Sequence, residues 1–168
     1  MAPDTLAAQP VVEGEGAGAL LLLDQPVSFW GGVDPVSGRI VEPGHPQEGR
    51  ALAGRVMAMA RAKGSSSSSS VLAELVRNGH GPAAILMRGP DLIVGLGCIV
   101  AAELYGRQVP VAVLDDAGWA ALVAAAAAGG SARLVCDAAG ARLHLDGLSA
   151  ADAPQPAPPP VARDNPFR

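Results

Sequence analysis

Six consecutive serines, at positions 65–70, follow Lys63-Gly64 and stand between an apolar run at 56–60 and a segment with helical periodicity. A serine-rich stretch is ordinarily a flexible linker between domains. Here both neighbours are core-forming, so a linker would have to interrupt a single core. The better reading is a strand-loop-helix junction. Val71, Leu72, Leu75 and Val76 recur at i, i+1, i+4 and i+5, and Asn78-Gly79 is a stop signal. Serine hydroxyls at such a helix start are good N-caps for its orphan amides.

A junction of this kind is suited to anions. Gly64 lets the backbone turn closely around a ligand, while free amides and the positive end of the helix dipole face a carboxylate or phosphate. A serine hydroxyl at the same place could also take part in proton transfer, its alkoxide stabilised by those amides as in an oxyanion hole. Composition alone does not choose between binding and catalysis. Lys63 precedes the glycine, whereas a nucleotide-binding phosphate loop needs its lysine after the last glycine. Val94-Gly95-Leu96-Gly97-Cys98-Ile99-Val100 imitates a dinucleotide fingerprint, but Val100 fills the third glycine position, so a tight turn is the better reading. No Gly-x-Ser-x-Gly is present, and His80 and His144 fall in a probable turn and strand, which leaves a hydrolytic triad weakly supported.

Periodicity and turn residues predict strands at 19–23, 39–41, 56–60, 83–87, 92–94 and 109–114, with a turn at 34–38. They predict helices from the serine run to Asn78, over 98–105, and over 115–128, the last capped by Asp115 or Asp116. A hairpin of strands 133–136 and 142–145 closes the chain. Strands that follow helices imply an α/β fold with a parallel central sheet, and the hairpins imply a second antiparallel layer. Residues 1–18 are rich in Ala, Pro, Gly and acids, and 149–168 are rich in proline, so both are expected to be disordered around a domain at 19–148.

Of the 168 residues 49% are apolar, enough for a real core. Twelve Lys and Arg against sixteen Asp and Glu give a net charge of −4 without a basic cluster, so neither nucleic acid nor an anionic membrane is an expected partner. Aromatics are only 3%, too few for a base-stacking platform, which leaves ligand contacts to polar groups and backbone amides. Cys98 and Cys136 lie far apart with no Cys-x-x-Cys and cannot by themselves hold zinc or an iron-sulfur cluster. They read as buried free thiols in a reducing cytoplasm. The apolar runs at 19–23 and 92–102 are too short for a signal-peptide core or a membrane span, so a soluble, cytoplasmic protein is expected.

Taken in order, Ser28-Phe29-Trp30-Gly31-Gly32-Val33-Asp34-Pro35-Val36-Ser37-Gly38-Arg39-Ile40, His45-Pro46, Gly64-Ser65-Ser66 with Glu74-Leu75, and Pro82-Ala83-Ala84-Ile85 resemble the small subunit of aconitase X dehydratases. The resemblance covers about residues 20–114, and the segment to Gly147 is similar to the family's closing strands. It implies an aconitase-type swivelling β/β/α domain. It also implies a large subunit that carries an iron or iron-sulfur centre and most substrate contacts, with no cofactor held by this chain. The position matching the family's proton acceptor is Ser65. Gly64, Ser66, Gly31 and Gly32 match positions around the substrate, and Ser67 to Ser70 are assigned to capping. The homopolymeric run leaves Ser66 as the alternative register. Asp34, His45 and Trp30 are expected first as loop-structuring residues. Family activities are dehydration of cis-3-hydroxy-L-proline in bacteria and of mevalonate 5-phosphate in archaea, and this composition looks more like the bacterial type. The contrasting reading is a non-enzymatic anion-binding scaffold.

Overall fold

The computed structural model describes residues 4–146. The chain runs β1 (Thr5–Val12), β2 (Gly14–Leu22), a distorted single turn α1 (Phe29–Gly32), β3 (Val56–Ala58), α2 (Ser68–Arg77) and β4 (Ala84–Met87). It continues with α3 (Leu92–Tyr105), β5 (Val111–Val113), α4 (Asp116–Ala127), β6 (Ser131–Asp137) and β7 (Gly140–Asp146). These strands close into one barrel in the order β1-β5-β4-β3-β2-β6-β7.

The expected parallel sheet with a separate antiparallel layer is therefore corrected to a single mixed barrel. β2, β3, β4 and β5 are parallel neighbours, and every other pairing is antiparallel. The two halves join because β1 and β2 each change partner along their length. Gly14 to Ala19 of β2 pair with β6, and Leu20 to Leu22 pair with β3. Thr5 to Ala8 of β1 pair with β7, and Gln9 to Val12 with β5.

β1 and most of β2 lie in the segment expected to be disordered, which is the second correction. The glycines that made this segment look unstructured are what lets it be crossed closely. A Cβ on Gly16 would overlap the Ala83 carbonyl, and one on Gly18 would overlap the carbonyl of Gly54. Backbone therefore lies where side chains would stand, and only glycine permits that contact. The proline-rich segment at 149–168 lies outside the described residues.

Strand alternation creates two cores. Val56, Ala58, Ala84, Leu86 and Ala112 point into the barrel, where Leu134 and Leu143 meet them and Leu122 of α4 packs against them. Met57, Met59, Ile85 and Met87 point outward under Leu72 and Leu75 of α2 and Val94 and Cys98 of α3. With both faces buried, β3 and β4 read in the sequence as unbroken apolar runs.

Residues 92–94, expected as a strand, are instead the first turn of α3. Asp91 caps that helix, its Oδ1 accepting from the amides of Ile93 and Val94 at 2.9 Å each. The two glycines of the dinucleotide-like segment lie inside α3 rather than in a turn. A Cβ on Gly97 would stand 2.9 Å from the Ser69 carbonyl oxygen, so this glycine lets α3 pack closely on α2. The expected strand at 39–41 reduces to isolated bridges, Val33 with Ile40 and Arg39 with Ala51.

Candidate active site

The serine junction forms where two parallel strands end. Beyond β3 the pairing with β4 continues through Met59 N to Leu86 O (3.0 Å) and Arg88 N to Ala60 O (3.1 Å). The chain then leaves the sheet through Arg61, Ala62 and Lys63 and turns at Gly64, whose φ is +107°. The carbonyls of Ser65 and Ser66 accept the amides of Ser68 (3.0 Å) and Ser69 (3.2 Å), winding the chain into α2.

The serines do not cap this helix as expected. Ser67 occupies the cap position with helical dihedrals and makes no side-chain cap bond. Because the chain is already helical there, the hydroxyl is turned away from the amides it would have to reach. Ser69 Oγ donates to Ser66 O at 2.8 Å. Ser68 is buried and reaches across to α1, its Oγ accepting from Trp30 N at 3.2 Å and lying 3.4 Å from Ser28 Oγ. Ser28 in turn donates to Trp30 O at 2.9 Å. The two hydroxyls fasten the Phe-Trp-Gly-Gly turn to the start of α2. The sequence reading missed Ser68 as a positioning residue.

A small cleft of about 50 Å³ opens at this junction, with Phe29, Lys63, Gly64, Ser65, Asp91 and Ile93 in its wall. It lies beyond the carboxyl ends of parallel strands, where open α/β sheets place their ligands. Ser65 is exposed to it. Lys63 Nζ pairs with Glu42 Oε1 at 2.8 Å. Of the expected site residues, Gly64 and Ser65 share the wall. Ser66 sits one position beyond it, with its carbonyl held by Ser69. Gly31, exposed with φ +81°, and Gly32, buried against Val27, shape the α1 turn next to Phe29 and are not in the wall itself.

Asp34 and His45 structure loops. The Asp34 carboxylate accepts from Ser37 Oγ (2.6 Å) and from the amides of Val36 (3.1 Å) and Ser37 (3.2 Å). Those bonds, the Ser37 hydroxyl first, hold its carboxyl below the ordinary value of 3.8. Buried His45 holds Gln25 O at Nε2 (2.9 Å) and accepts at Nδ1 from Gln47 N (3.0 Å), which ties the two loop segments together. Trp30, 62% exposed, projects beside the cleft rather than into a core.

The cysteines among the described residues are poorly suited to an iron or iron-sulfur centre. Cys98 is packed between α3 and the barrel, and Cys136 belongs to the barrel interior. Burial pushes their thiols up to about 12 and about 11 respectively, away from the thiolate a metal requires. Among the described residues no three His, Cys, Asp or Glu side chains gather into a ligand set. No helix among them is long and apolar enough to cross a membrane.

The profile of the aconitase X swivel domain matches residues 5–130, and the chain belongs to that family. A cis-3-hydroxy-L-proline dehydratase of Pseudomonas aeruginosa is 49% identical over 106 residues, which are 63% of this chain and 18% of that protein. A phosphomevalonate dehydratase small subunit of Methanothermobacter thermautotrophicus is 37% identical over 91 residues, 54% of this chain and 70% of that one. The crystal structure of Thermococcus kodakaraensis aconitase X in its holo-form superposes with a TM-score of 0.70 at 27% identity, over 86% of this chain and 98% of that chain. The chain thus spans under a fifth of the length of the Pseudomonas dehydratase it matches.

Proposed function

We propose that this chain is the small, swivel-domain component of a hydro-lyase that dehydrates cis-3-hydroxy-L-proline, with Ser65 as the proton acceptor. The observation that carries the reading is the placement of Gly64 and Ser65 in a cleft wall at the start of α2, in a chain 49% identical to a dehydratase of that substrate. In this reading Ser65 Oγ, as the alkoxide, takes the proton from the carbon bearing the carboxylate, the C2–C3 double bond forms as the C3–O bond breaks, and the departing hydroxide with one proton makes up the water released, so that the net loss is H⁺ from C2 and HO⁻ from C3. The resulting enamine tautomerises to 1-pyrroline-2-carboxylate.

A serine is a base only where its alkoxide is stabilised. The amides of Ser66 and Ser67 carry no hydrogen bond to an acceptor among the described residues and sit at the positive end of α2. The iron or iron-sulfur centre that the resemblance implies belongs, in this reading, to a large partner chain in the cytoplasm. Support for a partner comes from the archaeal relative that is itself a small subunit and from an exposed apolar stripe on α3. Leu92, Leu96 and Ile99 are exposed at i, i+4 and i+7 along one face of α3, beside Asp91.

Phosphomevalonate is the second reading, favoured by the larger share of the archaeal small subunit that this chain covers. Coexpression with the cognate large chain, followed by assay of both compounds, tests the two together. Faster turnover of cis-3-hydroxy-L-proline per unit concentration supports the first reading. Preference for the phosphorylated substrate supports the second, and no dehydration of either by a stable complex overturns both.

A further inference from the structure

Two charged side chains of opposite sign stand in the wall of the same cleft, on the loops that leave neighbouring parallel strands. Lys63 lies on the β3–α2 loop and Asp91 on the β4–α3 loop. Lys63 is held toward Glu42 by an ion pair whose members are both partly exposed, so its ammonium still faces solvent. Asp91 spends Oδ1 on two helix amides, and its Oδ2 has no partner among the described residues. The carboxylate is thus fixed in position by its capping role with one oxygen left over.

We infer that Lys63 and Asp91 form a zwitterion-reading pair, Lys63 receiving the carboxylate of the substrate and Asp91 its secondary ammonium. The inference rests on the imino-acid dehydratase reading above and adds to it the residues of this chain that select the substrate. The pair also separates the two candidate substrates by charge. Phosphomevalonate brings anionic groups and no cation, so a fixed carboxylate in the same wall as Lys63 opposes it, whereas an imino acid offers a partner to both charges. Ser65, two residues after Lys63 on the same loop, shares that wall with both charged groups.

Asp91→Asn is the informative variant, because asparagine caps a helix as well as aspartate does but carries no charge. In the complex with the large chain, calorimetry with L-proline, which lacks the leaving hydroxyl, reads binding without turnover. Tetrahydrofuran-2-carboxylate, with an ether oxygen in place of the amine, is the control ligand. Asp91→Asn is expected to weaken L-proline on the order of tenfold or more and leave the ether acid unchanged. Lys63→Met is expected to weaken both. Asp91→Ser, another capping residue, repeats the test if the amide variant fails to assemble.

Equal loss of both ligands in the Asp91 variants, no loss of either, or a wild-type complex that binds neither ligand overturns the inference. Failure of the dehydratase reading shows differently, as a complex that binds L-proline with this charge dependence yet does not dehydrate the hydroxylated compound.

Discussion

The backbone of Gly64 lies against the side chain of Ser28: a methyl group on Gly64 would overlap Ser28 Oγ and stand 2.8 Å from its Cβ. The junction that holds Ser65 is therefore set by a contact with the residue preceding α1, more than thirty positions upstream. Gly64→Ala combines this overlap with a φ of +107°. It is expected to destabilise the chain by about 2–4 kcal/mol in chemical denaturation. Wild-type stability in that variant would mean the turn can relax away from Ser28.

Ser65→Ala should separate chemistry from folding. In the assembled enzyme kcat is expected to fall on the order of 10²- to 10⁴-fold, while stability changes by less than about 1 kcal/mol. Ser69→Ala, which loses only its bond to Ser66 O, is the control expected near wild type. If Ser66→Ala collapses activity and Ser65→Ala does not, the proton acceptor is the neighbouring serine.

Ser68→Ala is expected to behave in the opposite way. It leaves Trp30 N without its hydroxyl partner in a part-buried contact, at a cost of about 0.5–1.5 kcal/mol. Loss of activity should follow the loosened α1 turn and be partly recovered by Ser68→Thr. A full loss of kcat without any loss of stability would place Ser68 in the chemistry instead.

Alkaline conditions act through the thiols. Burial pushes the Cys98 thiol up from its ordinary 9.0 to about 12, so its contribution to stability is fully present below pH 9 and is lost as pH rises toward 12. Denaturation midpoints should fall as pH rises from about 9 toward about 12, with a smaller fall in Cys98→Ala relative to its own starting value. In the native state neither thiol should react with a disulfide reagent at neutral pH. Rapid labelling there would contradict the burial.

The Asp34 turn has the acidic counterpart. Its lowered carboxyl contributes stability above the ordinary value of 3.8 that is lost as pH falls through the folded value. Ser37→Ala removes the largest cause and should move the Asp34 titration, followed by carboxyl-carbon NMR, back up toward 3.8. An unchanged titration would assign the shift to the backbone amides alone.

Leu96→Asp tests the exposed apolar stripe of α3. Leu96 is 52% exposed, so the isolated chain should keep its stability within about 0.5 kcal/mol. Affinity for the large chain should drop on the order of tenfold or more if α3 faces it. Undiminished association would place the partner on another surface.

What could be read from the sequence follows from how local each signal is. β3, β4, α2 and α4 announce themselves through unbroken apolar runs, helical spacing and caps such as Asp115, which accepts from Gly118 N at 2.7 Å. β1 and the first half of β2 do not, because their stability comes from partners far along the chain and from backbone crossing over Gly16 and Gly18. The start of α3 was masked by Leu92-Ile93-Val94, a run that suits a strand, although Asp91 before it was the helix signal. The same distinction holds at the site. Gly64 and Ser65 are visible as a motif, whereas Ser68 acquires its role only by meeting Trp30, 38 positions away. Asp91 joins the cleft only because β4 lies beside β3.

Closure of the barrel has a consequence for biosynthesis. Thr5 and His144 are partners across 139 positions, and the other neighbour of β1 is β5. Of the described strands β1 is made before the others and must therefore wait for β7, the last of them, before it has a partner along its full length. Until then its amides and carbonyls form an open template beside an incomplete ring. The parallel strands and α2 and α3 can condense earlier, so the cleft can take shape on the nascent chain while the ring stays unclosed. The slow, aggregation-exposed step in making this domain is the return of β7 to β1.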